Sequence, residues 1–236
     1  MLNLLFNINT IMYTFPLAGW DGNTYSMSYL EFWVVILNLW SVIAFRKNSI
    51  WAYPTSIVAC TGWAVMAYQL NLYSDQLLNL YFIGISVVGW VWWCQKNKDG
   101  SDKYKIQYMD RKSQVLTVVG LVIGVIVLGT YIDTIFTALA TPVVYLLGET
   151  YTHVPASLPY WDAFTTVTSF FAMYLLTKRR VESWYLWALV NIVTIGLYAF
   201  RGVYFFSAEY VIFLGNAIFA AHQWHRLANV QDCVQY

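Results

Sequence analysis

Aromatic and polar side chains recur at helical spacing between positions 184 and 198. Trp184, Trp187, Asn191, Thr194 and Tyr198 stand at relative positions 0, 3, 7, 10 and 14, which places them on one face of a helix. Indole rings stack on flat heteroaromatic rings and attract cations, and a carboxamide can hydrogen-bond to an amide or a hydroxyl group. This face therefore predicts binding of a flat aromatic ligand. The alternative is that both indoles lie at a membrane interface and Asn191 joins two helices.

Other apolar segments carry side chains that could complete such a site. One face of the segment 75–94 combines aromatic and polar residues at helical spacing, with Ser86 and Trp93 among them. The first apolar segment also carries polar residues, such as Ser41. In the last apolar segment, Tyr210 follows Glu209. The predicted substrate-binding set comprises Asn38, Asn79, Phe82, Trp90, Trp184, Trp187, Asn191, Tyr198 and Tyr210.

Acidic residues stand near the predicted starts of several helices. Glu31 follows Ser28 at the three-residue spacing of a capping box, and Asp75, Asp162 and Glu209 also stand at helix starts. Carboxylates there complement the positive end of the helix dipole, which is the role that we favour. The alternative is a gating or charge role, in which Glu31 and Asp162 attract a cationic substrate or accept a coupling proton.

The sequence offers no constellation for catalysis or for a resident cofactor. It contains no GxSxG, HExxH or GxxxxGK[ST] motif, and no lysine follows Lys178 that could hold retinal. His222 and His225 lack a Cys, Asp or Glu at ligand spacing, so we interpret them as interfacial histidines. We therefore predict no enzymatic activity, no catalytic residue, no metal site and no cofactor.

Composition places the chain in a membrane. Hydrophobic residues make up 59% of the 236 residues, charged residues make up only 11%, and the mean hydropathy is +0.52. A soluble domain would carry about a quarter charged residues. Seven apolar segments approach the roughly 20 residues that a membrane-spanning helix requires. They cover 27–45, 50–70, 75–94, 114–132, 160–177, 183–200 and 208–226.

Basic residues determine the predicted orientation. Two follow the first segment, six fill the connection after the third, three follow the fifth and one ends the seventh. The positive-inside rule assigns this side to the cytoplasm, so the N-terminus is external and the C-terminus is cytoplasmic. Arg201 is the one basic residue on the external side, where it could act as a gate or snorkel. The short apolar stretch 133–148, interrupted by Pro142, is interpreted as an external interfacial or re-entrant piece.

Two parts of the chain follow the same plan. Between them lies one linking segment with Gly120-x-x-x-Gly124, so three segments on either side of it insert with the same orientation. Parallel repeats of this kind are typical of small-solute transporters, whose site lies between the two copies. Similar residues recur at offsets of 131 or 134, in the pairs Glu31 and Asp162, Lys47 and Lys178, Asp75 and Glu209, and Trp90 and Trp224.

Several motifs resemble those of the PnuC-type nicotinamide riboside transporters of bacteria. The resemblance covers about residues 26–226, and it is closer in the second copy. Asn79 stands where the family often has Gln, and Val88 stands where Tyr is usual. The motifs are Pro159-Tyr160-Trp161-Asp162, the run from Lys178 to Trp184 followed by Trp187 and Asn191, Gly202-Val203-Tyr204, Glu209-Tyr210, Leu72-Tyr73-Ser74, Leu77-Leu78 and Gly89-Trp90-x-Trp92.

The resemblance implies a fold similar to that of full-length SWEET sugar transporters. It implies facilitated uptake of nicotinamide riboside, a vitamin B3 precursor of NAD biosynthesis, with trapping by a cytoplasmic riboside kinase. It also suggests a homotrimer in the bacterial inner membrane. Related subgroups are associated with thiamine and riboflavin, so a transporter of another aromatic vitamin is the alternative. A non-transporting seven-helix receptor or scaffold is the alternative from another class, although it would not require two parallel copies.

We therefore expect an all-α membrane protein with seven spans, built as two parallel three-helix bundles joined by a linker helix. Its partners would be the small-molecule substrate and the lipid bilayer, without nucleic acid. Alternating access would require bending, for which Pro54, Gly62 and Gly196 are candidate hinges. The expected divisions are an external segment 1–25, interfacial or without order, a first repeat 26–94, a basic connection 95–113, a linker region 114–159, a second repeat 160–226 and a cytoplasmic tail 227–236.

Overall fold

The computed structural model describes residues 7–16, 24–69, 73–98, 100–146, 158–200 and 204–233. This part of the chain contains one β-hairpin and seven α-helices, so the seven predicted helices are confirmed. Each helix covers one of the seven apolar segments. The elements are β1 (Ile11–Pro16), β2 (Thr24–Ser28), α1 (Tyr29–Arg46), α2 (Ala52–Gln69), α3 (Tyr73–Cys94), α4 (Arg111–Leu146), α5 (Pro159–Thr177), α6 (Glu182–Phe200) and α7 (Tyr204–Cys233).

Local sequence signals set several helix ends. Ser28 caps α1 as predicted, because its Oγ accepts a hydrogen bond from the backbone N–H of Glu31 at 3.1 Å. Pro159 stands in the first turn of α5, where its missing N–H costs nothing. Asn48 and Arg179, which follow α1 and α5, both have a φ of 53°. This left-handed conformation ends each helix and turns the chain into the next one.

Six helices form a closed ring. Around it, α1 packs against α2, α2 against α3, α3 against α5, α5 against α6, α6 against α7, and α7 against α1. We call one end of the ring the basic end, where α1, α3 and α5 finish and the Lys- and Arg-rich turns lie. We call the other the hairpin end, because β2 contacts the start of α1 there. Any path through the molecule must run between these two ends.

Helix α4 lies outside the ring, against α5 and the edge of α3. Glycines on α4 allow this close approach: a Cβ at Gly124 would lie 2.8 Å from Cγ1 of Val167 on α5. The predicted close packing of the glycine motif is therefore observed. Most of the surface of α4 is exposed and apolar, with Leu116 72% exposed and Val115 60% exposed. An apolar, uncovered helix of this kind suits contact with lipid.

The second half of α4 is separated from the first by a kink. Tyr131 has a φ of −115° and a ψ of 18°, which interrupt the helical geometry. The stretch 133–148 was expected to be separate from the linker helix, and the break lies close to the predicted division. The part after the break is helical as far as Leu146, and Pro142 lies within it rather than ending it.

The two halves of the ring make reciprocal hydrogen bonds at the basic end. Nε1 of Trp93 on α3 donates to the backbone oxygen of Thr177 at 3.0 Å, and Nε1 of Trp224 on α7 donates to that of Arg46 at 2.9 Å. Donors and acceptors are each 131 residues apart, the offset between Asn48 and Arg179. The counterpart of Trp224 is therefore Trp93, and the sequence-based pairing with Trp90 was one helical turn out of register.

Hydropathy alone would have missed some of these helices. In the described part, three helices are long and apolar enough to span a membrane by length and composition, namely Tyr29–Arg46, Arg111–Leu139 and Glu182–Phe200. The others are more polar because they turn hydroxyl groups inward. On α5, for example, Thr168, Ser169 and Thr177 are buried. Polar residues inside an apolar bundle are costly and commonly mark a functional interior.

The N-terminal segment is not the interfacial helix or unordered stretch that was expected. Residues 11–16 and 24–28 instead form an antiparallel hairpin, which the β-branched and aromatic residues of IMYTFP favour. The backbone N–H of Tyr29 donates to the oxygen of Thr10 at 3.2 Å, so the hairpin leads directly into α1. The N–H of Ile8 donates to Oε1 of Gln69 at 3.0 Å, which ties the segment to the end of α2.

Candidate functional site

Trp184 lies in a packed aromatic cluster at the basic end. Its side chain is 2% exposed, and its ring meets that of Trp224 edge to face, with centroids 5.6 Å apart. In the first half of the ring, Tyr53 packs against Trp93 in the same manner at 5.0 Å. Tyr53 and Trp184 are 131 residues apart and occupy matching positions. The cluster joins α2, α3, α6 and α7 at the basic end, and we call it the floor.

Two polar atoms of this floor are buried without a partner. Among the described residues, the Tyr53 hydroxyl and the Trp184 Nε1 have no hydrogen-bond partner. A buried donor without a partner costs about 1–3 kcal/mol, so such groups are suited to meet water or a polar ligand. The floor therefore combines packed rings with two hydrogen-bonding groups at matching positions.

Trp187 belongs to an aromatic wall above the floor. Its ring lies 6.2 Å from that of Phe82 on α3, with an angle of 49° between the planes. Phe82 in turn contacts Tyr81, whose ring lies 4.3 Å from that of Phe170 on α5. The structure thus brings together Trp187 and Phe82, which the sequence predicted on different helices. This wall spans α3, α5 and α6 and can offer ring faces to a flat ligand.

The polar residues on the same face of α6 as Trp184 and Trp187 are also buried. Asn191 is 4% exposed, and Thr194 is also buried one turn further on. The hydroxyl of Thr168 on α5 is fully buried and has no hydrogen-bond partner in the described part of the chain. A carboxamide and two hydroxyl groups in an apolar ring can discriminate a ligand that carries hydroxyl and amide groups.

Tyrosines extend this face of α6 towards the hairpin end. The rings of Tyr198 on α6 and Tyr210 on α7 are stacked, with centroids 5.5 Å apart and 28° between their planes. Tyr210 also meets Phe213 edge to face at 5.7 Å. The predicted neighbours Tyr198 and Tyr210 therefore form one aromatic surface. It continues the wall of rings along the inside of the second half.

The other residues of the predicted substrate-binding set are less buried than Trp184 and Asn191. Asn38 on α1 is half-buried, and its backbone oxygen accepts a hydrogen bond from the Ser41 hydroxyl at 2.8 Å. Asn79 on α3 is half-buried. Trp90 is separate from the wall: its side chain is 40% exposed, whereas that of Trp93 is 3% exposed. The helical period explains the difference, because positions 86, 89 and 93 of α3 face the bundle.

Two buried acidic side chains lie near each other at the hairpin end. Glu31 on α1 is 8% exposed and Glu209 on α7 is 7% exposed, and the two carboxylates are close enough to interact electrostatically. The hydroxyl of Tyr25 on β2 donates a hydrogen bond to Glu31. Oε1 of Glu209 is buried without a hydrogen-bond partner among the described residues. Two like charges in a buried place need a cation or a proton between them.

Asp162, which matches Glu31 in the repeat, lies in the first turn of α5, as predicted, and it is half-buried. Helix α1 is a ring neighbour of α7, which brings Glu31 near the start of α7. The side chain of Asp75 and the whole of Arg201 lie outside what the structure describes.

Arg179 links the connection 95–110 to the basic end of the ring through hydrogen bonds. This role was not predicted from the sequence. Nη1 of Arg179 lies 2.9 Å from Oδ2 of Asp102 and also donates to the backbone oxygen of Tyr104. Its guanidinium lies 4.4 Å above the centre of the Trp93 ring. Hydrogen bonds from Lys96 and Arg179 hold the pKa of Asp102 below its usual value, against the opposing effect of burial. The sequence showed only a basic run, which is common beside a membrane.

His225 also joins two parts of the structure through hydrogen bonds. The Tyr108 hydroxyl on the connection after α3 makes a hydrogen bond with Nδ1 of His225 on α7. Asn229, one turn later, lies 3.3 Å from Nε2 of the same ring. The two ring nitrogens therefore join the connection to the end of α7.

Helices long and apolar enough to span a membrane, arranged around aromatic and polar side chains, indicate a multi-pass membrane protein. The chain belongs to the nicotinamide mononucleotide transporter family, whose model matches residues 28–226, and it is therefore a membrane transporter and not an enzyme. The resemblance seen in the sequence motifs is thereby confirmed.

Curated relatives and a solved structure agree with this assignment. The chain is 24% identical over 225 residues to the nicotinamide riboside transporter PnuC of Escherichia coli (strain K12), covering 93% of each chain. It is 26% identical over 209 residues to the PnuC protein of Neisseria mucosa, covering 85% of this chain and 73% of the relative. A crystal structure of the vitamin B3 transporter PnuC superposes with a TM-score of 0.64 at 24% identity, covering 85% of this chain and 82% of that one. The last comparison shows that the fold is shared.

Proposed function

We propose that this protein carries nicotinamide riboside across the bacterial inner membrane by facilitated diffusion. The observation that carries the proposal is the buried face of α6, where Trp187 meets Phe82 and Asn191 lies one turn further along. Nicotinamide riboside combines a flat cationic ring, a carboxamide and a ribose. An aromatic wall with a buried carboxamide and hydroxyl groups is complementary to each of these parts.

In this proposal the pyridinium ring stacks on the exposed face of the Trp187 ring, next to Phe82. Asn191 and Thr194 hydrogen-bond to the carboxamide or the ribose, and Trp184 forms the floor that the substrate must pass. Tyr198 and Tyr210 guide it from the hairpin end. Thiamine and riboflavin are also flat aromatic vitamins, and one of them as substrate would keep the same site.

The proposed movement is alternating access between two parallel halves, α1–α3 and α5–α7, with α4 as the linker outside the ring. This is the arrangement of full-length SWEET transporters. The reciprocal bonds of Trp93 and Trp224 support it, because equivalent residues of each half reach the other half at the same offset. The hairpin end would be external and the basic end cytoplasmic, in agreement with the positive-inside rule.

We further propose that the Glu31 and Glu209 pair is a cation-attracting entrance at the hairpin end. The pyridinium ring carries a permanent positive charge, which would relieve the repulsion between the two carboxylates. Net accumulation would come from phosphorylation of the imported riboside by a cytoplasmic kinase rather than from the transporter itself. Assembly as a homotrimer would place bare apolar faces such as that of α4 against lipid or another copy.

The test is calorimetric titration of the purified protein with nicotinamide riboside, thiamine and riboflavin in parallel. We expect the riboside alone to bind, with affinity reduced about tenfold by Trp187→Ala through loss of ring stacking. Asn191→Ala should reduce it roughly three- to tenfold through loss of a hydrogen bond. Trp40→Ala is the matched control, because Trp40 is 64% exposed on the outside of α1.

Other results would change the assignment. Binding of thiamine or riboflavin that depends on Trp187 would keep the site and replace the substrate. Binding of the riboside without its uptake into proteoliposomes would favour a receptor. An equal loss of affinity in Trp40→Ala and Trp187→Ala would contradict the placement of the site.

A further inference from the structure

A second pocket opens at the basic end, away from the ring interior. It has a volume of about 350 Å³ and lies between the end of α3, the connection after it, and the turn from α5 to α6. This size lies within the range of small-molecule sites. Its lining includes four cations, Lys103, Lys105, Lys178 and Arg180, and two aromatic residues, Trp92 and Tyr104. We call it the basic pocket.

The charge of the basic pocket is not neutralised by the protein. Among the described residues, none of its four cations has a carboxylate partner. Asp102, the nearby acid of the connection, is already engaged with Lys96 and Arg179. Glu182 accepts hydrogen bonds from the backbone N–H of Met109 and from the Gln114 side chain. Four positive charges around one cavity favour an anion with several oxygen acceptors.

Aromatic rings give the basic pocket a flat surface as well as charge. The rings of Trp92 and Tyr104 are stacked, with centroids 5.6 Å apart and 22° between their planes. Lys178 lies 5.9 Å from the centre of the Trp92 ring, and Lys103 lies 5.8 Å from that of Tyr104. A stacked pair beside several cations is a surface on which a heteroaromatic base can stack while its phosphate is held.

Arg180 is held in place at the edge of the basic pocket. Its Nη1 donates to the backbone oxygen of Tyr108 at 2.9 Å. With its oxygen turned towards the guanidinium, the Gln107 side chain accepts from Nη1 at 2.7 Å and from Nη2 at 3.1 Å. A guanidinium fixed in this way is pre-organised for a phosphate, because little side-chain entropy remains to be lost.

We propose that the basic pocket binds an organic phosphate, and that the ring stack selects a nucleoside monophosphate over a lipid headgroup. Trp92 belongs to the first half of the ring, and Lys178 and Arg180 belong to the second. A bound phosphate therefore links the two halves at the basic end. Arg179, between Lys178 and Arg180, contacts Trp93 of the floor, so this link also holds the floor closed.

The expected effect of a bound nucleotide on transport depends on the proposed function. The binding of that nucleotide to the basic pocket does not. If the protein carries the riboside, its phosphorylated product on the basic side would occupy the basic pocket and slow further uptake. Such inhibition would not be relieved by more riboside on the hairpin side, because the two ligands occupy different sites.

The binding test is calorimetric titration of the full-length protein, in neutral-lipid nanodiscs, with nicotinamide mononucleotide, AMP and inorganic phosphate. We expect saturable binding of both nucleotides, weaker binding of phosphate, and affinity that falls as salt is raised. Lys105→Ala and Lys178→Ala should each weaken nucleotide binding roughly tenfold. Lys112→Ala is the control, since Lys112 is an exposed cation that does not line the basic pocket.

Lys105 has an exposed side chain, so its variant keeps the test valid if Lys178→Ala fails to fold. A second arm replaces part of the neutral lipid with phosphatidylglycerol and follows the melting temperature. Stabilisation by this lipid that is lost in Lys105→Ala, without nucleotide binding, would keep phosphate recognition but overturn the nucleotide. No response in either arm, or an equal loss in Lys112→Ala, would overturn the proposal. Riboside binding in the ring is measured separately, so failure of one site does not imply failure of the other.

Discussion

Two tryptophan residues on the same face of α6 have different roles in this protein. The extent to which each side chain is buried distinguishes them. Trp184 and Trp187 lie on one face of α6, yet Trp184 is packed into the floor and Trp187 belongs to the wall. The spacing of the sequence could predict their shared face, because the helical period determines it. It could not predict their depth, which depends on Trp224 and Phe82 from other helices.

Glu209 provides a test at the residue scale. Glu209→Gln removes one of the two facing charges while keeping the shape of the side chain. We expect the KM for nicotinamide riboside uptake into proteoliposomes to rise about fivefold, because a cation loses part of its attraction at the entrance. The melting temperature should not fall, since the change relieves repulsion between buried carboxylates.

Asp110→Asn is the comparison for this variant. Asp110 is an exposed acid just before α4 at the basic end, away from the acidic pair, so its change should leave KM nearly unaltered. An unchanged KM in Glu209→Gln would show that the acidic pair does not attract the substrate.

At the scale of elements, the sequence predicted the starts of helices more reliably than it predicted which helices pack against each other. Ser28 and Pro159 marked helix starts through local chemistry, and the glycines of α4 marked its contact with α5. The N-terminal hairpin was missed because its strands are short, although Asp21-Gly22 between them is a turn signal that could have indicated it. The meeting of Glu31 and Glu209 was missed because the order of helices around a ring is a property of packing.

The contact between α4 and α5 can be tested by adding one methyl group. Gly124→Ala would place a Cβ 2.8 Å from Val167, so the helices must separate locally. We expect a loss of about 1–3 kcal/mol in the free energy of unfolding, measured by thermal or denaturant unfolding in detergent. Gly84→Ala is the matched control, because no atom lies within 4 Å of its added Cβ. The control should be neutral or slightly stabilising, and similar losses in both variants would argue against close packing of α4.

The connection 95–110 depends on the ionised form of Asp102. Because its folded-state pKa is lowered, its contribution to stability is complete above the ordinary value of about 3.9 and is lost as the pH falls further. Asp102→Asn should therefore lower the melting temperature at pH 7 and reduce the difference from wild type below pH 4. Melting curves between pH 2.5 and 7 measure this. Equal melting temperatures at pH 7 would show that the ion pair with Arg179 does not stabilise the fold.

At the scale of the whole molecule, the repeat was visible in the sequence but its register was not. The offset of 131 residues relates the floor residues Tyr53 and Trp184 and the donors Trp93 and Trp224. Sequence comparison paired Trp90 with Trp224 at an offset of 134, three residues away from the offset of these pairs. Only the hydrogen bonds across the ring identify Trp93 as the equivalent residue.

The reciprocal bonds predict matched effects in the two halves. Trp93→Phe and Trp224→Phe each remove one indole N–H while keeping an aromatic ring in the floor. Each should lower the free energy of unfolding by about 1–2 kcal/mol, since a buried backbone oxygen loses its donor. Thermal unfolding of both variants and of the double variant measures this. A large effect in one half and none in the other would contradict the equivalence of the two positions.

These two bonds also restrict how the halves can move. Two anchor points at one end define a line, and rotation of one half about that line leaves both hydrogen bonds intact. Sliding one half along the membrane normal would stretch both bonds together. In the alternating access proposed above, opening at the hairpin end would require only rocking about this axis, whereas opening at the basic end would break both tryptophan bonds. The two directions of access would then differ in their energetic cost, although the halves are built on the same plan.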